Sequence, residues 1–526
     1  MKGLPAETDF VVIGGGVAGM RAAIELAAAG RVLVLAKREA PKFHGPSASD
    51  GMTALLSDED EVSLHLQDTL QAGDGLCNPA AVKVLAEEGP QRIDEVVAWG
   101  THLDRNGTRL VFGQNAHLHN RILHAQGEST RREIRRALCA KAHSLKNISL
   151  AEFAFPTCVR VKDGRVTGVS LMDGIGFPQE IACSALLLAT GGMGQLFRNT
   201  TNPEAATADG VTLAFRAGAE ISDMEFVQFH PTALCLKKAP RFPLPEELRR
   251  EGAHLRNIEL NRFMGKYHPM GELAPANVVA RAIVHEMEVS RAKDPFVYLD
   301  LTHLDAAKVR KHFPRVHFTC MQHNIDLTED LIPVRPAAHY NIGGVRTDLD
   351  GRTSVAGLYA AGETAATGVH GANRLAGNSL LEGLVYGARA GKRMREEARP
   401  ASRAATPPKA AHSNGPVDVG VEELITQIQD LMWNDVGIVR TRAGMQRAVR
   451  TLEEVAPRLA HPKTRRAHEA ANLHSAGLLV TRSALAREES RGAHYRTDYP
   501  DHDDKKFLKH SLVRNEAVRF VNQDNC

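Results

Sequence analysis

The stretch Asp9–Leu35, DFVVIGGGVAGMRAAIELAAAGRVLVL, decides how this chain folds. Asp9–Ile13 is a short β-forming run, Gly14–Gly19 interrupts it, Met20–Ala29 has helix-forming composition, and Val32–Leu35 returns to strand. This succession makes a βαβ unit. Its G-x-G-x-x-G pattern, Gly14, Gly16 and Gly19, falls on the strand-to-helix turn. There, backbone N–H groups and the positive end of the helix dipole can cradle a pyrophosphate. The glycine pattern alone is weak, and the strand before it and helix after it supply the context it requires.

Two further buried strands end in small residues. Ala185–Ala189 (ALLLA) runs into Thr190, Gly191 and Gly192, and Gly357–Ala361 (GLYAA) runs into Gly362 and Glu363. Ligands of open α/β sheets sit beyond the carboxyl ends of the strands. Three such ends from distant parts of the chain therefore point to one large cofactor, for which FAD is the natural candidate. A plain NAD reader would carry an acid about 20 residues after its first glycine. Here the second strand ends instead in Ala36, Lys37, Arg38 and Glu39, so Lys37 stands at the cofactor end.

The chain has 526 residues, 65 Lys+Arg against 62 Asp+Glu, a net charge of +3, and 43% hydrophobic residues. This balance supports a large core and excludes a disordered or fibrous chain. Without a dense basic block it also excludes nucleic acid as a partner. Seven widely spaced cysteines with no C-x-x-C suggest neither a disulfide framework nor a metal site. No run approaches the roughly 18 apolar residues of a membrane span, and a cytoplasmic protein with no membrane partner is expected. Pro400–Pro416 (PASRAATPPKAAHSNGP) reads as a linker. Beyond it, Val421–Val436, Arg440–Glu453 and His461–Glu488 carry helical apolar spacing, so a helical bundle is expected.

Three long stretches in order carry a resemblance: Arg198–Thr232 (RNTTNPEAATADGVTLAFRAGAEISDMEFVQFHPT), Pro336–Gly344 (PAAHYNIGG) and Thr367–Tyr386 (TGVHGANRLAGNSLLEGLVY). They resemble the flavoproteins of the succinate dehydrogenase/fumarate reductase superfamily, nearly end to end. Leu431–Thr441 (LMWNDVGIVRT) and Glu489–Pro500 (ESRGAHYRTDYP) make the chain look most like that superfamily's L-aspartate oxidase family. The implied fold is α/β. A Rossmann-like FAD-binding domain spans 1–229 and 333–399, an α+β capping domain is inserted at 230–332, a linker covers 400–416, and a C-terminal helical domain covers 417–526. The implied activity is oxidation of L-aspartate to iminoaspartate with oxygen or fumarate as acceptor, the first step of NAD biosynthesis, with quinolinate synthase as pathway partner. A succinate/fumarate oxidoreductase is the alternative.

A four-carbon dicarboxylate calls for cationic forks and imidazole donors, because charge-assisted bonds orient as well as bind. By resemblance His230, His339 and Arg374 are the carboxylate binders, and Gln114 stands where the family has an acid facing the substrate ammonium. Arg281 (VVARAI) matches the proton-transferring arginine, with Glu246 and Arg249 (EELR) as its relay. Read without the resemblance, Arg281 is a helical arginine paired with Glu246. For FAD the resemblance implies Gly14, Gly16, Gly19, Lys37, Gly51, Gly191, Gly192, Asp209, Glu363, Ser379 and Leu380.

Four features depart from the family pattern. Its Q-G-G segment reads Ser49, Asp50, Gly51, which places a carboxylate near the flavin. Pro245 replaces a threonine that would donate to a substrate carboxylate, and Gln114 brings no charge to the ammonium. Counting back from Gly51, His44 falls where succinate dehydrogenases attach FAD covalently. His117, His119 and His124 fit no common zinc spacing and read as a polar surface segment.

Overall fold

A computed structural model describes residues 4–39, 52–53, 62–106, 109–110, 112–113, 122–125, 130–237, 239, 241–399 and 420–522. At its centre, five parallel strands lie in the order Leu358–Ala360, Ala185–Leu188, Phe10–Ile13, Val32–Ala36, Ile148–Glu152. Phe10–Ile13 is buried throughout, as a parallel strand covered on both faces must be. Its residues alternate between two cores: Val11 and Ile13 join one, Phe10 and Val12 the other.

On the Phe10 and Val12 side, the helix Val17–Leu26 packs against the helix Asn378–Glu397. The approach is close because Gly383, Gly387 and Gly391 form a stripe along the second helix. A Cβ on Gly387 would sit 2.6 Å from the Ala18 carbonyl oxygen, and one on Gly391 would sit 2.9 Å from that of Ala22.

The segment between these elements builds its own antiparallel sheet, in the order Val227–Leu234, Ile332–Asn341, Val297–Asp300, His254–Arg256. It has a separate core that includes Phe242, Leu248, Phe263, Ile283 and Leu299. The helix Ala276–Ser290 packs on the first strand of this sheet. The expected divisions at 229/230 and 332/333 fall inside Val227–Leu234 and Ile332–Asn341, which are paired to each other. One strand pair, broken by two register shifts, therefore joins the cap to the rest.

The C-terminal segment supplies helices Val421–Asp435, Arg442–Val455 and Arg465–Ala486. These pack on one another as the expected bundle, but the bundle does not close its core alone. Leu424, Ile428, Met432, Leu452 and Leu473 bury their apolar stripe in the same core as Val11, Ile13, Leu186 and Leu188. The segment is also not wholly helical. A hairpin, His510–Arg514 and Ala517–Val521, adds two strands beside Ile221–Ser222. The expected linker 400–416 lies outside the described residues.

Candidate functional site

The glycines of the first turn are required by close backbone contact. Gly14 adopts φ +116°, and a Cβ there would lie 2.1 Å from the Ala189 carbonyl oxygen. A Cβ on Gly19 would lie 1.9 Å from the carbonyl oxygen of Gly14. Gly16 caps the helix with no side-chain hydrogen bond, and a Cβ there would meet nothing within 4 Å. That open space faces the uncapped N–H groups of the helix's first turn, which is what an anionic group needs.

Gly191 takes φ +78°, a conformation that L side chains rarely adopt. A Cβ on Gly192 would lie 2.3 Å from Glu363 Oε1. Glu363 Oε1 accepts the Asn341 backbone N–H at 3.2 Å, and burial pushes its carboxyl up to about 7. The Asn341 side-chain oxygen accepts from the Met193 N–H at 3.0 Å, while its nitrogen is buried with no partner among the described residues. The Thr53 hydroxyl, beside Gly377, is likewise buried with no partner among them. Gly377 takes φ +86° and opens the 20-residue helix that carries Ser379 and Leu380 in its first turn. Unsatisfied buried donors, a carboxyl poor in donors and two open helix N-termini fit a large polar cofactor that bears hydroxyls and phosphates.

Lys37 and Asp209 come together on a different task. The Lys37 ammonium donates to Asp209 Oδ2 at 2.9 Å and Thr207 Oγ1 at 2.5 Å, and pairs with Glu469 at 2.8 Å. Asp209 Oδ1 accepts from Thr207 and from Asn472 Nδ2. These two expected cofactor residues tie the end of the second strand to the helix Arg465–Ala486.

Two of the expected carboxylate binders, His230 and His339, sit on the two paired strands, and Arg374 lies against them from the loop before Asn378. His230 lies opposite Ala337, so His339 is its diagonal neighbour, and the two rings are 5.3 Å apart. Thr201 Oγ1 is 2.8 Å from His339 Nδ1, and His230 Nδ1 accepts the Thr232 N–H at 3.3 Å. Arg374 stacks over Tyr340 at 4.7 Å and donates to Gln228 at 3.0 Å and to Ser379 Oγ at 3.4 Å. Beneath it, Tyr340 donates to Glu382 at 2.9 Å, and Glu382 also takes Thr367 and His370. Burial alone would raise the Glu382 carboxyl, but His370, Thr367 and Tyr340 outweigh it and hold the carboxyl below its ordinary value. Burial next to that carboxylate drives the Tyr340 phenol well above its own. Composition could not reveal Gln228, Thr201, Tyr340 or Glu382, although each lies within or beside the quoted motifs.

Arg281 lies on the inner helix of the cap, with its guanidinium 4.6 Å from the Tyr495 ring. Burial lowers its pKa. The helix-surface reading that pairs it with Glu246 is not what the structure shows. Among the described residues Glu246 pairs with Arg249 at 3.6 Å and Arg250 at 3.3 Å, and Arg281 has no carboxylate partner. Arg249 is buried and donates to the Glu272 carbonyl at 2.7 Å, and burial lowers its pKa too. Pro245 caps the Glu246–Arg250 helix with no side-chain hydrogen bond.

Gly51 and Gln114, with His44, Ser49, Asp50, His117 and His119, lie outside the described residues. Among the described residues one trio, His254, Asp300 and His303, comes within metal-ligand range. Its imidazoles stack at 4.0 Å and 10°, and Asp300 already accepts from Arg256 at 2.6 Å. Parallel rings cannot both aim a nitrogen at one ion.

Residues 9–380 match the FAD binding domain family and residues 425–523 the fumarate reductase flavoprotein C-terminal family, so FAD is the cofactor. The chain is 40% identical to the L-aspartate oxidase of Streptomyces coelicolor over 96% of its own length and 91% of the relative's. It is 39% identical to the chloroplastic L-aspartate oxidase of Arabidopsis thaliana, covering 95% of this chain and 82% of that one. Among solved structures, E. coli quinol fumarate reductase FrdA superposes with a TM-score of 0.89 at 28% identity, covering 98% of this chain and 96% of that chain. The Sdh1 complex of Mycobacterium smegmatis gives 0.84 at 30% identity, covering 98% and 93%. The chain belongs to the L-aspartate oxidase family of FAD-dependent oxidoreductases.

Proposed function

We propose that this protein oxidises L-aspartate to iminoaspartate, passing the electrons to oxygen or fumarate, as the first step of NAD biosynthesis. The observation that carries the reading is the placement of His230 and His339 side by side on two paired strands, with Arg374, just before the helix that begins at Asn378, bound to Gln228 and stacked on Tyr340 of the same strands. Three donors held by Thr201, Thr232 and Gln228 are a preorganised receptor for two carboxylates.

FAD, when bound, would supply the acceptor for a hydride, one proton with two electrons, leaving the substrate C2. Gly14, Gly16, Gly19, Gly191 and Gly192 would let its backbone-facing parts approach, and Glu363 would receive hydroxyl donors from it. Ser379 and Leu380 would present helix N–H groups to it. Lys37 and Asp209 would act from behind, by fixing the second strand end. His230, His339 and Arg374 orient the substrate, and Gln114 accepts a hydrogen bond from its ammonium. Arg281 takes the coupled proton. A guanidinium is normally a fixed cation; burial lowers the Arg281 pKa, and with no carboxylate beside it among the described residues the neutral form that can take a proton is less costly than in free arginine. Glu246 and Arg249 are the proposed relay onward.

Among the described residues no helix is long and apolar enough to cross a membrane. We place the protein in the cytoplasm, with quinolinate synthase as consumer of its unstable imine product. The test is anaerobic bleaching of the bound flavin by L-aspartate and by succinate in separate experiments. Bleaching by aspartate is expected, and bleaching by succinate alone would overturn the reading. Arg281→Leu should retain FAD and lose reduction by aspartate, and a variant reduced as fast as the parent would remove the proton-transfer role.

A further inference from the structure

The loop Glu489–Pro500 has no regular helix or strand, yet it is held at every side. His494 and Arg496, which flank Tyr495, are fully buried. His494 Nδ1 is 2.5 Å from Arg440 Nη1, and Arg496 donates to the carbonyls of Leu485 at 2.9 Å and Arg487 at 3.0 Å. From this base the loop reaches two places in the candidate site. Gly492 packs directly on Ala372, and the Ala493 N–H donates to the Ala372 carbonyl at 2.9 Å, two residues before Arg374. The Gly492 carbonyl accepts from Asn277 Nδ2 at 2.8 Å, on the cap helix one turn before Arg281.

Asn277 and Arg281 are four residues apart, so they share one helix face, and both look toward this loop. Among the described residues the Arg281 guanidinium forms no ion pair, and its cationic face meets the Tyr495 ring at 4.6 Å. Arg281, Tyr495, Asn277, Gln228 and Asn373 line one narrow cavity. Gln228 and Asn373 are hydrogen-bonded to each other at 3.1 Å, and Gln228 also receives Arg374. One cavity is thus walled by the cap helix, the Arg374 loop and the C-terminal loop.

We propose that Tyr495 is a positioning residue: its ring, fixed by the Glu489–Pro500 loop, holds the Arg281 guanidinium in register with Arg374, so that the C-terminal segment completes the active site. An aromatic face attracts a guanidinium through its quadrupole and fixes it laterally without supplying an acceptor. A carboxylate in the same place would trap the proton. The ring, not the hydroxyl, is the working part.

The inference rests on the proposed role of Arg281, and the experiment separates the two. The parent holoenzyme, Tyr495→Phe, Tyr495→Leu and Arg281→Leu are compared by anaerobic stopped-flow reduction of the flavin with L-aspartate. Hydrogen–deuterium exchange of residues 276–290 is followed alongside. Y495F should reduce within about twofold of the parent, whereas Y495L should fall about tenfold in limiting rate. Aspartate affinity should stay within about threefold, and exchange in the cap helix should rise only in Y495L. If Y495L does not retain FAD, Asn277→Ala decides, because it cuts the Gly492 link without touching the ring, and a slower limiting rate is expected. A parent-like rate in Y495L, or in N277A where that variant decides, overturns the proposal. So does a Y495F as slow as Y495L. Y495L at parent rate with R281L inactive overturns this inference alone, while R281L at parent rate overturns the role of Arg281 and this inference with it.

Discussion

Gly16→Ala should separate the two reasons for glycine in the first turn. At Gly14 the reason is the fold itself: the backbone is at φ +116° and a Cβ would lie 2.1 Å from a carbonyl oxygen. That is more than about 1 Å inside van der Waals contact with an atom that cannot rotate away. Gly14→Ala should therefore lower stability by about 3 kcal/mol, from strained dihedral and overlap together. At Gly16 φ is −80° and no atom of the described residues lies within 4 Å of a Cβ, so the apoprotein should lose less than about 1 kcal/mol.

If the open space at Gly16 exists for a pyrophosphate, the added methyl displaces a charge-assisted hydrogen bond of about 2 kcal/mol, or about thirtyfold in Kd. Thermal melts of the cofactor-depleted protein and fluorescence titration with FAD read the two quantities independently. G16A should melt like the parent and bind FAD about thirtyfold more weakly, while G14A should fail in both. A G16A variant that binds FAD as tightly as the parent would refute the placement of the pyrophosphate at this helix end.

Three more outcomes are expected. Glu363 carries a folded-state pKa of about 7 against an ordinary value of 4.5, so the stability its protonated form contributes is complete below about 4.5 and is lost as pH rises toward 7. Cofactor-free Glu363→Gln should therefore gain on the parent by up to about 3 kcal/mol between pH 4.5 and 8, read as the difference in denaturant midpoint. Asp209→Ala leaves the Lys37 ammonium with Glu469 as its one carboxylate partner among the described residues and takes the acceptor from Asn472 Nδ2, and should cost about 3 kcal/mol by thermal melt. Arg487→Leu removes the buried partner of Glu225 and Glu489 and the donor to the Phe507 and Lys509 carbonyls. It should cost about 4 kcal/mol or leave no soluble holoenzyme, checked by circular dichroism and FAD content.

What could be read from the sequence was what repeats a local rule. The βαβ opening and the buried runs at Ala185 and Gly357 obey hydrophobic periodicity, and the structure places all three in adjacent parallel strands. The stripe Gly383, Gly387, Gly391 was not read from the sequence, although its four-residue spacing is the mark of the close helix contact that the structure shows. The hairpin at the end of the chain was concealed. Its turn needs positive φ at both central residues, and these are Asn515 at 49° and Glu516 at 66° rather than Asn-Gly. Lys37 shows a different limit. A lysine at the cofactor end of a strand invites a phosphate, but Asp209 and Glu469 come from about 170 and 430 residues away, and no local pattern announces them.

The loop Glu489–Pro500 marks where pattern reading fails for a physical reason. Composition rules place arginine outside, yet Arg440, Arg487 and Arg496 are among the largest fully buried side chains described. A segment without helix or strand leaves its own carbonyls, and those of the helix and strand ends it meets, in need of donors. One arginine fork can serve several at once. Arg440 takes the carbonyls of Val436, Gly437 and Glu225, and Arg496 takes those of Ala484, Leu485 and Arg487. Buried arginines thus do for this loop what a ladder does for a strand, and they carry no periodicity. The result is rigid backbone precisely where local propensity suggests none, and it is this rigidity that lets Tyr495 meet Arg281 at a fixed place.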